Sequence, residues 1–248
     1  MNISFALLAA LGGYLIGSLS FARIVTALAG YGKGFTENAE ARVEGSKQGL
    51  RLDTVSATSV SLKAGPRLGF LTYVLDVLKV FIPVFALRQI FPDQPYYLLT
   101  AAAGVVGHVW PLYHRFKGGG GISAIYGGVF VIDWPGVFVA ALGGMVLGLF
   151  VLRDFYLIYY AGLLLLIPWL WFRTGSVPVL AYAVAVNILF LIASYSSAKR
   201  FYALRRTDPR WNDPTQAWKI SAMGRGILKV LAKFGYGNKN GRSGERTR

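Results

Sequence analysis

Residues 68–91 read LGFLTYVLDVLKVFIPVFALRQIF, and only Asp76, Lys79 and Arg88 in that run carry charge. A helix of about 20 predominantly apolar residues is long enough to cross the hydrocarbon of a bilayer. The stretch meets that length and predicts a membrane-spanning helix. A charge buried alone in lipid costs about 2.5–3.5 kcal/mol on insertion scales, so Asp76 and Lys79 are expected to face the interior of a helix bundle. Their i, i+3 spacing puts them on one helix face, where they can pair. Two readings stay open: a structural ion pair that locks helices together, or a cation partly offered to a substrate.

Working outward, comparable runs occur at 3–29, 95–113, 121–132, 136–152, 155–172 and 177–197. With 68–91 they predict an all-α integral membrane protein of about seven transmembrane helices. The run 121–132 is short, and is tolerable if it tilts or lines a protein cavity. Composition points the same way, with 248 residues of which 54% are hydrophobic and only 15% charged. Mean hydropathy is +0.48, whereas a soluble domain carries about a quarter charged residues. Cysteine is absent, which excludes disulfides and thiolate chemistry. No Lys or Arg precedes the first apolar run, so it is expected to be a retained helix rather than a cleaved signal peptide.

Charge placement orients the spans. Segment 31–67 carries Lys33, Arg42, Lys47, Arg51, Lys63 and Arg67; a later loop holds Arg115 and Lys117, and another Arg153. From Lys199 onward there are thirteen Lys and Arg against Asp208, Asp213 and Glu245. The intervening connections offer Asp93, Asp133 and Arg173. With seven spans every basic segment falls on one face, which the positive-inside rule makes cytoplasmic, N-terminus out and C-terminus in. Domain organisation follows as a transmembrane unit over 1–200 and a basic cytoplasmic tail over 201–248. In the tail, Trp218, Ile227, Val230, Leu231 and Phe234 recur at helical spacing between Lys219, Arg225, Lys229 and Lys233. That pattern predicts a basic amphipathic helix over about 215–234, lying on anionic headgroups or packed on a cytoplasmic loop. The net charge of +15 sits beside apolar spans. It therefore points to membrane lipid or a phosphorylated substrate, with no nucleic acid as partner.

Gly107-His108-Val109-Trp110-Pro111 leads through Arg115-Phe116-Lys117 to Gly118, Gly119, Gly120 and Gly121, and then to a new helix. Glycines after a lysine let backbone N–H groups approach an anion, and the helix N-terminus adds partial positive charge. The loop is therefore a candidate phosphate cradle or, alternatively, a simple hinge. His108, at the preceding helix end, taken alone reads as a hydrogen-bonded structural residue. The hydroxyl run from Thr54 to Ser61 reads as a helix cap.

Three sets of residues together resemble the bacterial acyl-phosphate-dependent glycerol-3-phosphate acyltransferases. They are Tyr14-Leu15-Ile16-Gly17-Ser18, Leu75-Asp76-Val77-Leu78-Lys79, and Gly107-His108 with Phe116-Lys117-Gly118-Gly119. Order and spacing match over roughly residues 10–205. The resemblance implies seven helices, N-out and C-in, in the bacterial plasma (inner) membrane. It implies acyl transfer from acyl phosphate to the 1-hydroxyl of glycerol 3-phosphate, opening phospholipid biosynthesis, with no metal, nucleotide or other cofactor.

The chain also departs from the family pattern. The family's first motif, Ser-Gly-Asn-x-Gly-Ala-Thr-Asn-x-x-Arg, falls on Leu52 to Leu62, where only Ala57 and Thr58 match. Gly-Gly-Lys-Gly has become Gly118 to Gly121. Of Arg-His-x-x-Asn-Ile-x-Arg, laid on 193–200, Arg200 remains. On this reading Lys117 and Gly118 to Gly121 hold phosphate, His108 orients the loop, and Thr58 and Ser59 contact the acceptor. Lys63, Lys79 and Arg200 are the substitute cations. The leading expectation is a membrane acyltransferase. The alternative is a non-catalytic homologue serving as a lipid-binding or complex-assembly subunit. A transporter comes third, since only one charged pair lies mid-span.

Overall fold

The computed structural model of the protein describes residues 1–213. It is mostly helical, as the apolar runs require, but the first run is not one helix. α1 (Ile3–Gly17) starts at Asn2, whose side chain accepts from the backbone N–H groups of Ser4 and Phe5, and α2 (Phe21–Leu28) follows a break at 18–20. In that break Ser18 Oγ donates back to the Tyr14 carbonyl at 2.8 Å, and the Leu19 carbonyl accepts from Lys79 Nζ at 2.6 Å. Irregular backbone at membrane depth is stable only when protein groups satisfy it. Lys79 does that here.

Segment 31–67 is not wholly irregular. Strands β1 (Ala39–Ala41) and β2 (Leu50–Leu52) pair antiparallel, with Ala39 opposite Leu52 and Ala41 opposite Leu50. The all-α expectation is corrected by this hairpin. Strands of three residues are too short to show an alternating pattern in sequence. α3 (Ala57–Ala64) follows, with Ser56 as its N-cap, in line with the capping reading of the hydroxyl run.

α4 (Pro66–Ile90) is the helix of the opening stretch, with Asp76 and Lys79 buried. α5 (Tyr96–Val109) stops short of the expected 113, because Trp110 precedes Pro111 and that position disfavours helix. α6 (Ile122–Ile132) rises only about 16 Å at 1.5 Å per residue, about half the hydrocarbon thickness. Ala124, Ile125 and Val129 are fully buried, so protein rather than lipid covers much of it. After Asp133 come α7 (Trp134–Phe138) and α8 (Gly144–Val146), each followed by a π-helical segment (Val139–Gly143 and Leu147–Val151). α9 (Phe155–Thr174) and α10 (Val177–Thr207) close the bundle. Among the described residues four stretches are long and apolar enough to cross a membrane: Ile3–Leu28, Pro66–Ile90, Tyr156–Thr174 and Val177–Thr207.

Helix ends gather in two groups. In one, the Asn2 N–H donates to Tyr96 Oη at 2.8 Å and Arg88 reaches the carbonyls of Val131 and Ile132. In the same group Asp133 accepts from Trp169 Nε1 at 2.7 Å and Arg173 Nε at 3.1 Å. In the other, Tyr14 Oη donates to the Trp110 carbonyl at 3.1 Å and Arg205 pairs with Asp154. Between them lies a core including Val80, Val105, Ile125, Leu166 and Val186. α1 lies hard against α5 through small residues: a Cβ on Gly17 would sit 2.3 Å from the Gly104 carbonyl oxygen. Close backbone approach of this kind is how membrane helices gain packing energy without a hydrophobic drive.

The expected boundary at 200 cuts through α10. Phe201 and Trp211 are buried against Ala41, Val43 and Leu50 of the hairpin region. The amphipathic helix expected at about 215–234 lies outside the described residues.

Candidate functional site

α4 and α5 bring together the two sets of polar residues read separately in the sequence. Lys79 Nζ lies 2.8 Å from Asp76 Oδ1, and His108 Nδ1 lies 3.6 Å from the same oxygen. All three side chains are almost wholly buried. Asp76 is thus flanked by Lys79 on its own helix and by His108 one helix away, while Lys79 also reaches across to Leu19 at the break of α1. A small cavity of about 10 Å³ opens among Ser20, Val55, Asp76, Lys79, His108 and Gly119, room for about one water.

His108 also shapes the glycine loop. The Gly119 N–H donates to the His108 carbonyl at 3.0 Å, and a Cβ on Gly119 would come within 2.2 Å of His108 Nε2. Gly118 passes equally close to the His108 carbonyl, and its own carbonyl accepts from Val55 N–H at 2.8 Å. Gly121 has φ +95°, a conformation that glycine alone adopts freely, and it is the N-cap of α6. Gly120 differs from its neighbours: a Cβ there meets nothing within 4 Å. The expected cradle is therefore only partly open. Two of its glycines are spent on wrapping His108 and Gly121 is buried against Val109 and Phe190, while Gly120 borders free space and Lys117 is exposed. Arg115 and Phe116, both left-handed (φ 52° and 58°), store strain in the turn that leads there. His114 sits outside the buried cluster, and burial together with the Arg23 guanidinium holds its imidazole below the ordinary range.

The remaining predicted residues do not converge on this cluster in the same way. Thr58 is exposed on α3. Ser59 is buried, its hydroxyl donating to the Thr54 carbonyl, so it is committed to the cap. Lys63 Nζ donates to the carbonyls of Phe35 at 2.6 Å and Glu37 at 2.7 Å, so it fastens the first loop. Arg200 pairs with Asp53. Leu52 and Leu62 pack onto the apolar cluster of Phe201 and Trp211.

Sequence reasoning missed three participants: the Leu19 carbonyl, Ser20 and Asp53 as partner of Arg200. Only Asp53 left a signal, as an acid in the first motif. A backbone carbonyl exposed by a helix break has no residue-type signature.

Comparison with known proteins gives the relationship. The glycerol-3-phosphate acyltransferase family model matches residues 7–203. A glycerol-3-phosphate acyltransferase 2 of Thermotoga maritima is 33% identical over 135 residues, covering 54% of this chain and 62% of the relative. The chain thus spans less than two thirds of that relative's length. A glycerol-3-phosphate acyltransferase of Pseudomonas entomophila is 32% identical over 145 residues, 58% of this chain and 69% of its own. The crystal structure of PlsY, an integral membrane glycerol 3-phosphate acyltransferase in its glycerol 3-phosphate form, superposes with TM-score 0.67 at 26% identity. It covers 81% of this chain and 93% of that one. By the match over residues 7–203, the chain belongs to the glycerol-3-phosphate acyltransferase family.

Proposed function

We propose that this protein transfers an acyl chain from acyl phosphate to the 1-hydroxyl of glycerol 3-phosphate in a bacterial plasma membrane. The hydroxyl oxygen bonds to the acyl carbon, the acyl carbon–phosphate oxygen bond breaks, and the hydroxyl proton leaves with inorganic phosphate. The observation that carries the reading is the clamp of the glycine loop around His108. Buried Asp76 and Lys79 lie behind it, and open space lies before Gly120. In this arrangement Lys117 supplies a point charge, and free backbone N–H groups near the α6 N-terminus supply directed donors for anionic oxygens. His108 is enclosed and acts as a positioning residue for the loop. Thr58 and Arg200 remain the groups nearest to an acceptor role, whereas Ser59 and Lys63 serve the protein's own backbone.

The same reading has the bundle cross the bilayer seven times. The Asn2–Tyr96 side then faces out, while the hairpin, the glycine loop and the tail are cytoplasmic. That distribution puts all the basic segments inside and sets the tail against anionic headgroups.

Purified protein supplied with acyl phosphate and labelled glycerol 3-phosphate is expected to form labelled lysophosphatidic acid. Gly119→Val, which collides with His108, should abolish transfer. Gly120→Lys enters free space and should raise it by about tenfold, the worth of one charged contact of about 1.5 kcal/mol. No transfer and no binding of either substrate, unchanged by both substitutions, would instead favour the non-catalytic subunit.

A further inference from the structure

Outside the polar cluster, a clamp ties the end of α10 to the β-hairpin. Past residue 203, where the family match ends, α10 runs on to Thr207 and the chain turns through a single 3-10 turn, Pro209–Asn212. Trp211 of that turn is only 1% exposed. Its ring meets Phe201 edge-on with centroids 6.0 Å apart and packs with Ala41, Val43 and Leu50 of the hairpin region. Its indole Nε1 donates to Ser46 Oγ at 3.3 Å, and Ser46 Oγ in turn donates to Asp208 Oδ2 at 2.7 Å. Arg210 closes the contact by donating to the Gly45 carbonyl. A tryptophan is rarely buried whole, and its N–H then needs a partner. The hairpin supplies both the packing and the acceptor.

The clamped hairpin leads straight into the site. β2 ends at Leu52, Asp53 meets Arg200, and Val55 donates to the Gly118 carbonyl at 2.8 Å. The hydrogen bond that seats the glycine loop thus lies three residues past the end of β2. A hairpin of two strands is marginally stable by itself, so its position depends on Trp211 and Ser46, the groups that pin it to α10. Two fixed points then hold the segment 53–55: the hairpin before it, and Ser56, the N-cap of α3, after it.

We propose that Trp211 is a positioning residue for the glycine loop: by pinning the hairpin to α10 it fixes Val55 against Gly118, and so preorganises the loop for the phosphate of the acyl donor. The proposal rests on the acyl-transfer reading for the identity of that phosphate. The clamp itself rests on packing and hydrogen bonds. A loop already held in its bound conformation binds more tightly, because less ordering remains to be done on binding. Loosening the hairpin acts differently on the two substrates. The glycine loop loses its seat, whereas Arg200 is released from the carboxylate that neutralises it.

The test uses the full chain in nanodiscs. Trp211→Ala is expected to raise KM for acyl phosphate about tenfold or more, with no rise in KM for glycerol 3-phosphate. Trp211→Phe, which restores an aromatic ring against Phe201, should recover most of the loss. A purely structural role would lower the folded fraction, hence the apparent kcat, and leave both KM values where they are. Deuterium uptake at the Val55 amide needs no turnover and should quicken about tenfold in Trp211→Ala. Where Trp211→Ala yields too little folded protein, Ser46→Ala removes the hydroxyl shared by Trp211 and Asp208. It is expected to shift both readouts the same way by about threefold. Equal rises in both KM values, a loss confined to kcat, or unchanged exchange at Val55 would overturn the proposal. Faster exchange at Val55 in a chain that transfers no acyl group retains the clamp and rejects the acyltransferase.

Discussion

Arg200 on α10 meets Asp53 in the loop after β2, with the two side chains 38% and 50% exposed. Two residues beyond Asp53, Val55 donates to the Gly118 carbonyl, so this acid stands beside the glycine loop. A carboxylate there neutralises the cation that a phosphorylated acceptor would use, and repels the acceptor directly. A half-exposed pair is worth about 0.2–1 kcal/mol, and each 1.4 kcal/mol is tenfold in affinity. Asp53→Asn is therefore expected to tighten glycerol 3-phosphate binding by about two- to fivefold, read by calorimetry or by KM. Weaker binding would mean that Asp53 itself contacts the acceptor. Sequence placed Asp53 in a degraded motif and Arg200 in another, but not against each other. Their pairing depends on how the loop after β2 folds onto α10, and no local spacing encodes that.

At the scale of elements, the Asp76–Lys79 pair was legible because helical spacing fixes it, and its place inside the bundle because lone charges in lipid are costly. The break between α1 and α2 was not legible: residues 3–29 carry a single charge, Arg23, which lies beyond the break, and hydropathy has no term for a carbonyl that turns to meet a lysine from another helix. Lys79 therefore does two jobs, neutralising Asp76 and capping the broken helix through Leu19. Removing one member of a buried pair strands the other, at a cost of about 3–5 kcal/mol. Asp76→Leu and Lys79→Met should each reduce folded yield in detergent strongly, and the double variant should lose less than the sum. The recovery should be incomplete, because the Leu19 carbonyl and His108 still lose their partners. Simple additivity of the two losses would show that the pair is not coupled.

At the scale of the whole molecule, the mostly helical bundle follows from the apolar runs. The lengths of its members do not, because residues covered by protein need not meet the bilayer's length rule. α6 is too short to cross by itself, and the stretch from Trp134 to Val151 is interrupted by π-helical segments. Orientation therefore rests on charge. The group of helix ends around Asn2, Tyr96 and Asp133 carries Arg88 and Arg173, whereas the opposite group carries the hairpin, Lys117, Arg153 and the end of α10. In the proposed orientation the loops rich in Lys and Arg are cytoplasmic, and α6 connects the two sides even though it is short. The chain has no cysteine, so single cysteines can report sidedness without background. Asp133 is a poor probe, being buried and bonded to Trp169 and Arg173. Asp93 and Lys117 are exposed and lie at opposite ends of the bundle. In intact cells an impermeant maleimide is expected to label Asp93→Cys and to leave Lys117→Cys unlabelled until the membrane is opened. If both labelled from the same side, α6 would not connect the two faces, and the glycine loop would lose its cytoplasmic supply of phosphorylated substrate.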